Sequence, residues 1–156
     1  MFKKVLVIFF AMTLLSACAS KEVKQGKYDD HSAHIAQFES NEGDRVFFDF
    51  DSAALTEATK DKLTQQVRWL NIHRLFNSIV IEGHCDERGT REYNLALGAR
   101  RAEAIKRYLI AEGLDADRIV ETVSYGKERP AVIGNNEAAW SKNRRGVTSI
   151  RGMTSE

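Results

Sequence analysis

Asp86, Asn94 and Arg101 are the side chains whose types and spacing invite chemistry: a carboxylate in a polar loop, then an amide and a guanidinium seven residues apart on one expected helix. Aspartate takes an ammonium, arginine can hold a carboxylate by two parallel hydrogen bonds, and asparagine can donate or accept beside them. Together they suit a ligand that carries an ammonium and a carboxylate on one carbon. Nothing in the set requires a bond to break. A second reading is equally open, in which Asp86 and Arg101 form an internal ion pair fixing loop to helix, with Asn94 as a helix cap. His84, Asp86 and Glu87 could begin a metal-hydrolase site, but no third ligand stands at a recognisable spacing and no Gly-x-Ser-x-Gly motif is present. Neither an enzymatic activity nor a metal or cofactor is expected.

The elements that must position these groups surround the stretch from Gly83 to Ala102. Ile79, Val80 and Ile81 read as a buried strand, a polar loop closed by Gly89 follows, and a helix then runs to a stop near Gly113. On that helix Leu95, Gly98, Ala102, Ile105 and Leu109 recur at steps of three and four, which makes a seam facing the rest of the fold. At about 100° per residue, Arg100 falls almost opposite the seam and Arg101 lies about 80° from its centre. Arg100 is thus expected in water and Arg101 at the edge of a cleft. Asn94 falls within about 20° of Arg101, on the same stripe.

Gly83, His84, Asp86, Gly89, Asn94 and the pair Arg101-Ala102 also resemble, at matching offsets, the signature of the outer membrane protein A-like peptidoglycan-binding domains. Within that superfamily the chain is most similar to the peptidoglycan-associated lipoproteins of Gram-negative bacteria, through Val46 to Asp51, Val123 to Pro130 and Ser141 to Arg145. The resemblance covers about residues 44 to 147 and implies a non-catalytic protein that binds the diaminopimelate-containing stem peptide of peptidoglycan. It places Asp51, Asp86, Arg88, Asn94, Leu97 and Arg101 at the ligand cleft. It also implies periplasmic proteins of the Tol envelope system as partners, so a protein-interaction module with little cell-wall binding is the alternative reading.

At the start of the chain, Lys3 and Lys4 precede an apolar run from Val5 to Leu15, and Ser16 and Ala17 lead to Cys18. This is the pattern of a secretory signal, too short to span a bilayer. Small residues ending on a cysteine resemble the bacterial lipoprotein box, which makes 1–17 a signal peptide and Cys18 an acylated anchor. Ala19 after the cysteine implies sorting to the outer membrane, with the domain in the periplasm. From residue 18 to 43 the chain is polar and aperiodic and reads as a flexible tether. His31 and His34 lie three apart there without a completing ligand set.

The leader holds two of the chain's 23 basic residues and none of its 22 acidic ones, so the remainder is close to neutral. A nucleic-acid partner needs a basic field and is excluded on that ground. With Cys18 acylated, Cys85 has no partner for an internal disulfide, and the fold must stand on its core.

The domain, residues 44–151 with a tail at 152–156, is expected to open with a strand from Val46 to Phe50, with Val46, Phe48 and Phe50 on one face and Phe47, Asp49 and Asp51 on the other. Asp49 and Asp51 form the turn after it. Thr56 caps a helix with the stripe Leu63, Val67 and Leu70, ending near His73. A strand from Arg118 to Tyr125, a helix from Asn136 to Arg144 and a short last strand near Val147 to Ile150 complete the chain. The last strand is expected to be weak, because Gly146, Thr148 and Ser149 are less apolar than a buried strand usually is. Alternating strands and helices predict an α/β sandwich, a small mixed β-sheet with helices packed on one side.

Overall fold

Each chain reversal is marked by a cap or a glycine, and the elements between them pack into one sheet with helices on a single face. The structure is a computed structural model that describes residues 26–40 and 43–152. In chain order it contains α1 (Gly26–Glu39), β1 (Arg45–Phe47), α2 (Glu57–Ile72), β2 (Ser78–His84), α3 (Arg91–Ala111), β3 (Ile119–Gly126), α4 (Glu137–Asn143) and β4 (Arg145–Gly152). The leader, Cys18 and the end of the tail lie outside the described residues. No helix among the described residues is long and apolar enough to cross a membrane.

The sheet order is β1-β4-β2-β3. β4 runs antiparallel to both β1 and β2, while β3 is parallel to β2. The expected mixed sheet is therefore present, with one correction. β4 is an interior strand, paired on both sides, and not a weak terminal one. Its modest side chains are what that position requires: a Cβ on Gly146 would come within 2.1 Å of Ile105, and the Thr148 hydroxyl, 2% exposed, donates to Gln66 Oε1 of α2 at 2.8 Å. Hydrogen bonds on both edges hold the strand where an apolar face would not fit.

Thr56 and Thr90 cap α2 and α3 by accepting from Thr59 N and Tyr93 N. The two helices bury Leu63, Val67, Leu70, Ala102, Ile105 and Leu109 against Val46, Phe48, Ile79, Ile81 and Ile119. Each fully buried aliphatic side chain here contributes about 1.5–3 kcal/mol, so this interface is the principal source of stability. At the centre α3 rests directly on β2. A Cβ on Gly83 would meet the Gly98 carbonyl oxygen at 1.9 Å, so only glycine permits the approach. That contact brings the middle of α3 down onto the carbonyl ends of the sheet, where the cleft forms.

Two further expectations change. β1 ends at Phe47, and although Phe48 N still donates to Arg144 O at 2.9 Å, the alternation does not continue inward to Phe50, which is 60% exposed. The turn takes over there, with Asp51 in the left-handed region at φ 52°. The segment expected as tether is helical from Gly26 to Glu39, and its second half rests on α2. Phe38 is buried with its ring 4.6 Å from Trp69, His34 lies 4.7 Å from His73, and His31 lies 6.0 Å from Phe76. Residues 31, 34 and 38 form one helical stripe, whose imidazoles stand against aromatic rings.

Candidate binding cleft

At the C-terminal end of β2 the chain turns away at His84, and Cys85 N is held by Gly126 O at 2.8 Å. The polar loop that follows rises over a cavity of about 140 Å³. Asp51, Asp86, Arg88, Asn94, Leu97 and Arg101, the residues expected from sequence, all line it. The β1 turn supplies Asp51, the loop supplies Asp86 and Arg88, and one face of α3 supplies the other three.

Arg101 does not sit at the edge of the helix seam. It is 0% exposed, while Leu95 is half-buried and Asn94 and Leu97 are fully so. The buried arc is therefore centred about 40° from the one the apolar pattern predicts, and Arg101 lies well inside it, about 40° from its centre instead of about 80°. The guanidinium donates to three main-chain carbonyls: Nε to Ser52 O at 2.8 Å, Nη1 to His84 O at 2.7 Å and Nη2 to Asp49 O at 3.0 Å. It ties the β1 turn to the end of β2. Burial pushes its pKa down, opposed by Cys85 and Asp86, yet a guanidinium remains a cation at neutral pH. Among the described residues no carboxylate forms an ion pair with it, so the expected alternative of an Asp86–Arg101 pair is not what the structure forms.

Asp86 is paired with two other arginines. Arg88 holds it with Nη2 on Oδ2 at 2.6 Å and Nε on Oδ1 at 3.1 Å, the Arg88 main-chain N–H adds a bond to Oδ1 at 3.1 Å, and Arg144 Nη1 approaches Oδ2 at 3.4 Å. Burial alone would raise the carboxyl's pKa; the bonds from Arg88 outweigh it and hold the group below the usual carboxylate range. Asp86 is thus an anion on the cavity wall at neutral pH.

Asn94 is 2% exposed and its Nδ2 donates to Arg88 O at 2.8 Å. It braces the loop and is not a helix cap, a role Thr90 fills. Tyr93 donates its hydroxyl to Asp51 Oδ1, joining the β1 turn to α3 across the mouth of the cavity. Cys85 is 3% exposed and its thiol donates to Asn94 O at 3.3 Å. Burial pushes the thiol up, so this cysteine, the one among the described residues, is sealed and protonated. His84 faces away from the cavity, toward Tyr125 and Glu82, and among the described residues no metal-holding group forms.

Sequence reasoning did not single out Arg144, Phe50 or Trp140. Arg144 is 7% exposed, donates to Phe48 O at 3.0 Å and pairs with Glu137 as well as Asp86. Its only signal was its place in the run from Ser141 to Arg145. Phe50 and Trp140 lie on either side of the Arg88 guanidinium, 3.9 and 4.1 Å away. The outward turn at Phe50 was hidden by the regular alternation that precedes it.

Comparison with known proteins agrees with this fold. Residues 47–144 match the OmpA family. A peptidoglycan-associated lipoprotein of Mesorhizobium japonicum is 42% identical over 97% of this chain and 94% of its own length. The crystal structure of the peptidoglycan-associated lipoprotein from Burkholderia pseudomallei superposes with a TM-score of 0.65 at 40% identity, covering 74% of this chain and 97% of that one. The C-terminal domain of Helicobacter pylori MotB, 21% identical with a TM-score of 0.60, shares the fold over 68% of this chain and 82% of its own. With an α/β sandwich of this strand order and identity sustained over nearly the whole chain, the protein belongs to the OmpA family and, within it, to the peptidoglycan-associated lipoproteins.

Proposed function

We propose that this protein is a non-catalytic outer-membrane lipoprotein that binds the diaminopimelate-containing stem peptide of peptidoglycan and so tethers the outer membrane to the cell wall. The observation that carries the reading is one small cavity with an anionic wall at Asp86 and a buried cation, Arg101, on the same lining. The free end of diaminopimelate bears an ammonium and a carboxylate on one carbon. The ammonium is drawn to Asp86, and the carboxylate to Arg101, three of whose five N–H groups are already fixed on carbonyls and hold it in place. Asn94 keeps the loop at the right height, Leu97 gives the methylene chain an apolar wall, and Asp51 with Tyr93 bounds the mouth. The domain reaches the cell wall from an acylated Cys18, held by burial of its acyl chains.

A role with periplasmic Tol proteins is supported by a separate observation. Phe50 and Tyr93, 60% and 46% exposed, stand at the rim of the same cavity, where aromatic side chains favour protein contact. A partner seated there would compete with the stem peptide.

The test is co-sedimentation of the full chain, in detergent micelles, with purified sacculi. Wild type and Arg100→Ala are expected in the pellet, Asp86→Ala and Arg101→Ala in the supernatant. A folded wild type that stays in the supernatant overturns cell-wall binding and leaves the protein-interaction role.

A further inference from the structure

Asp86 is not an open acceptor. One oxygen takes the main-chain N–H and Nε of Arg88, and the other takes Arg88 Nη2 and faces Arg144. An ammonium that enters the cavity must exchange with a cation already bound. The two arginines differ in how freely they can yield. Arg144 has a side chain 9% exposed and is tied to Phe48 O and Glu137, whereas the Arg88 side chain is 30% exposed. Arg88 is held by Asp86 and by two aromatic faces, Phe50 at 3.9 Å and Trp140 at 4.1 Å, and Trp140 is itself positioned by donating Nε1 to Glu87 at 3.0 Å.

We propose that Arg88 is an internal competitor for Asp86, a latch whose displacement sets the affinity any ligand of the cleft must exceed, so that only ligands able to engage Asp86 and Arg101 at once pass the threshold. This rests on the cell-wall reading above and adds the threshold that the cleft imposes. A simple amine replaces one charge-assisted contact at Asp86 with another and breaks a bidentate pair, so it gains nothing. A ligand with ammonium and carboxylate on one carbon makes the same exchange and adds the contact to Arg101, which moves the balance. The preference between the two then comes from Arg101, and the threshold both must pass comes from Arg88. The aromatic slot raises that threshold, because cation–π contacts from Phe50 and Trp140 raise the occupancy of the closed state. Apparent affinity falls by the fraction of molecules in which Asp86 is free, so a latch closed nine-tenths of the time lowers it about tenfold.

The experiment compares meso-diaminopimelate with 1,5-diaminopentane, which has both ammonium groups and no carboxylate, by calorimetry on the full chain in detergent micelles. Sacculus co-sedimentation runs alongside. Wild type is expected to bind diaminopimelate and not diaminopentane. Arg88→Ala is expected to gain about tenfold for both ligands, which brings diaminopentane toward the measurable range while the ratio between the two stays the same. Arg88→Lys, which keeps the charge but loses the planar fork, is expected to fall between. Trp140 reports the displacement directly: with Trp69, the other tryptophan of the chain, changed to Phe, fluorescence should shift when diaminopimelate binds wild type and stay constant in Arg88→Ala. Loss of diaminopimelate affinity in Arg88→Ala with diaminopentane still unbound overturns the proposal and makes Arg88 an ordinary gripping residue. If folded wild type does not pellet with sacculi, the cell-wall reading fails first and takes this one with it. If wild type pellets and Arg88→Ala raises the affinity for neither ligand, only the latch falls.

Discussion

Arg101 and Arg118 are both buried arginines that spend their guanidinium on main-chain carbonyls, and only one of them borders the cavity. Arg118 donates to Leu70 O, His73 O and Phe76 O, closing the C-terminal end of α2 over the start of β2. Burial pushes both guanidinium groups down. What separates them is the cavity beside one of them. Arg101 shares its wall with the carboxylate of Asp86, whereas Arg118 lies outside it, among carbonyls at the far end of the sheet, with Arg74 pushing its pKa down and Asp115 opposing. A buried arginine is therefore not a binding residue by itself. It becomes a candidate when an anion site is left open next to it.

The largest expected effects separate those two roles. Arg118→Ala strands several carbonyls and should lower unfolding free energy by about 3 kcal/mol while leaving sacculus binding per folded molecule unchanged. Arg101→Ala should cost a similar amount and also abolish binding. Urea unfolding combined with co-sedimentation of the folded fraction distinguishes them. If both variants lose stability and both bind normally, Arg101 is no more functional than Arg118.

Asp86→Asn comes next. It keeps the shape of the side chain and removes the charge that Arg88 and Arg144 face. Binding of sacculi should drop by about 2–5 kcal/mol, that of a desolvated charge pair broken on one side. The same variant tests the pH response. Asp86 has its folded pKa depressed, so its contribution to stability is present above the ordinary carboxylate value and is lost as pH falls toward the folded one. Asp86→Asn should remove that acid-side loss.

How much of this contrast was legible in sequence follows from what each residue type signals. The α3 seam, the cap at Thr56 and the cavity residues Asp86, Asn94 and Arg101 could be placed because helical period and loop length fix position to within a turn; the α3 cap could not, since Thr90 fills it and not Asn94. The exact arc could not, because Asn94 and Arg101 are polar and an apolar count leaves them outside the seam they occupy. Arg118 was read only as the first residue of a strand, since nothing in its neighbours marks which carbonyls need a donor. Arg144 and Trp140 reach the cleft from α4 and the turn that follows it, a long-range contact that no local pattern encodes. The α1 helix was missed for a related reason: its docking face is one phenylalanine and two histidines, too sparse to read as a stripe until Trp69, His73 and Phe76 stand opposite.

His84 gives a smaller effect, confined to stability. It is 2% exposed, its Nδ1 has no hydrogen-bond partner, and burial lowers its pKa from 6.5, opposed by Glu82. The unfolded chain takes up the proton first as pH falls. Stability should therefore decline on going below about pH 6.5, and the decline should stop below the folded value. In His84→Gln that slope should flatten while binding at pH 7.5 stays the same. The expected direction matches Asp86 but begins between two and three pH units higher, the ordinary values being 6.5 and 3.8, so the two titrations can be resolved in one unfolding series.

The smallest effect is the sharpest check on the comparison, because it concerns the residue next to Arg101. Arg100 is exposed, with its guanidinium 5.9 Å from the Tyr93 ring on the outer face of α3. A rotation of about 100° separates it from the residue that holds the β1 turn. Arg100→Ala loses one solvent-screened cation and a weak ring contact, so stability should change by less than about 0.5 kcal/mol and sacculus binding by less than about twofold. Both variants delete the same charge from adjacent positions. A general dependence of binding on positive charge would make them equivalent, whereas a carboxylate site built around one guanidinium makes Arg101→Ala decisive and Arg100→Ala silent. Comparable losses in the two would show that the cavity is not where the cell wall is held.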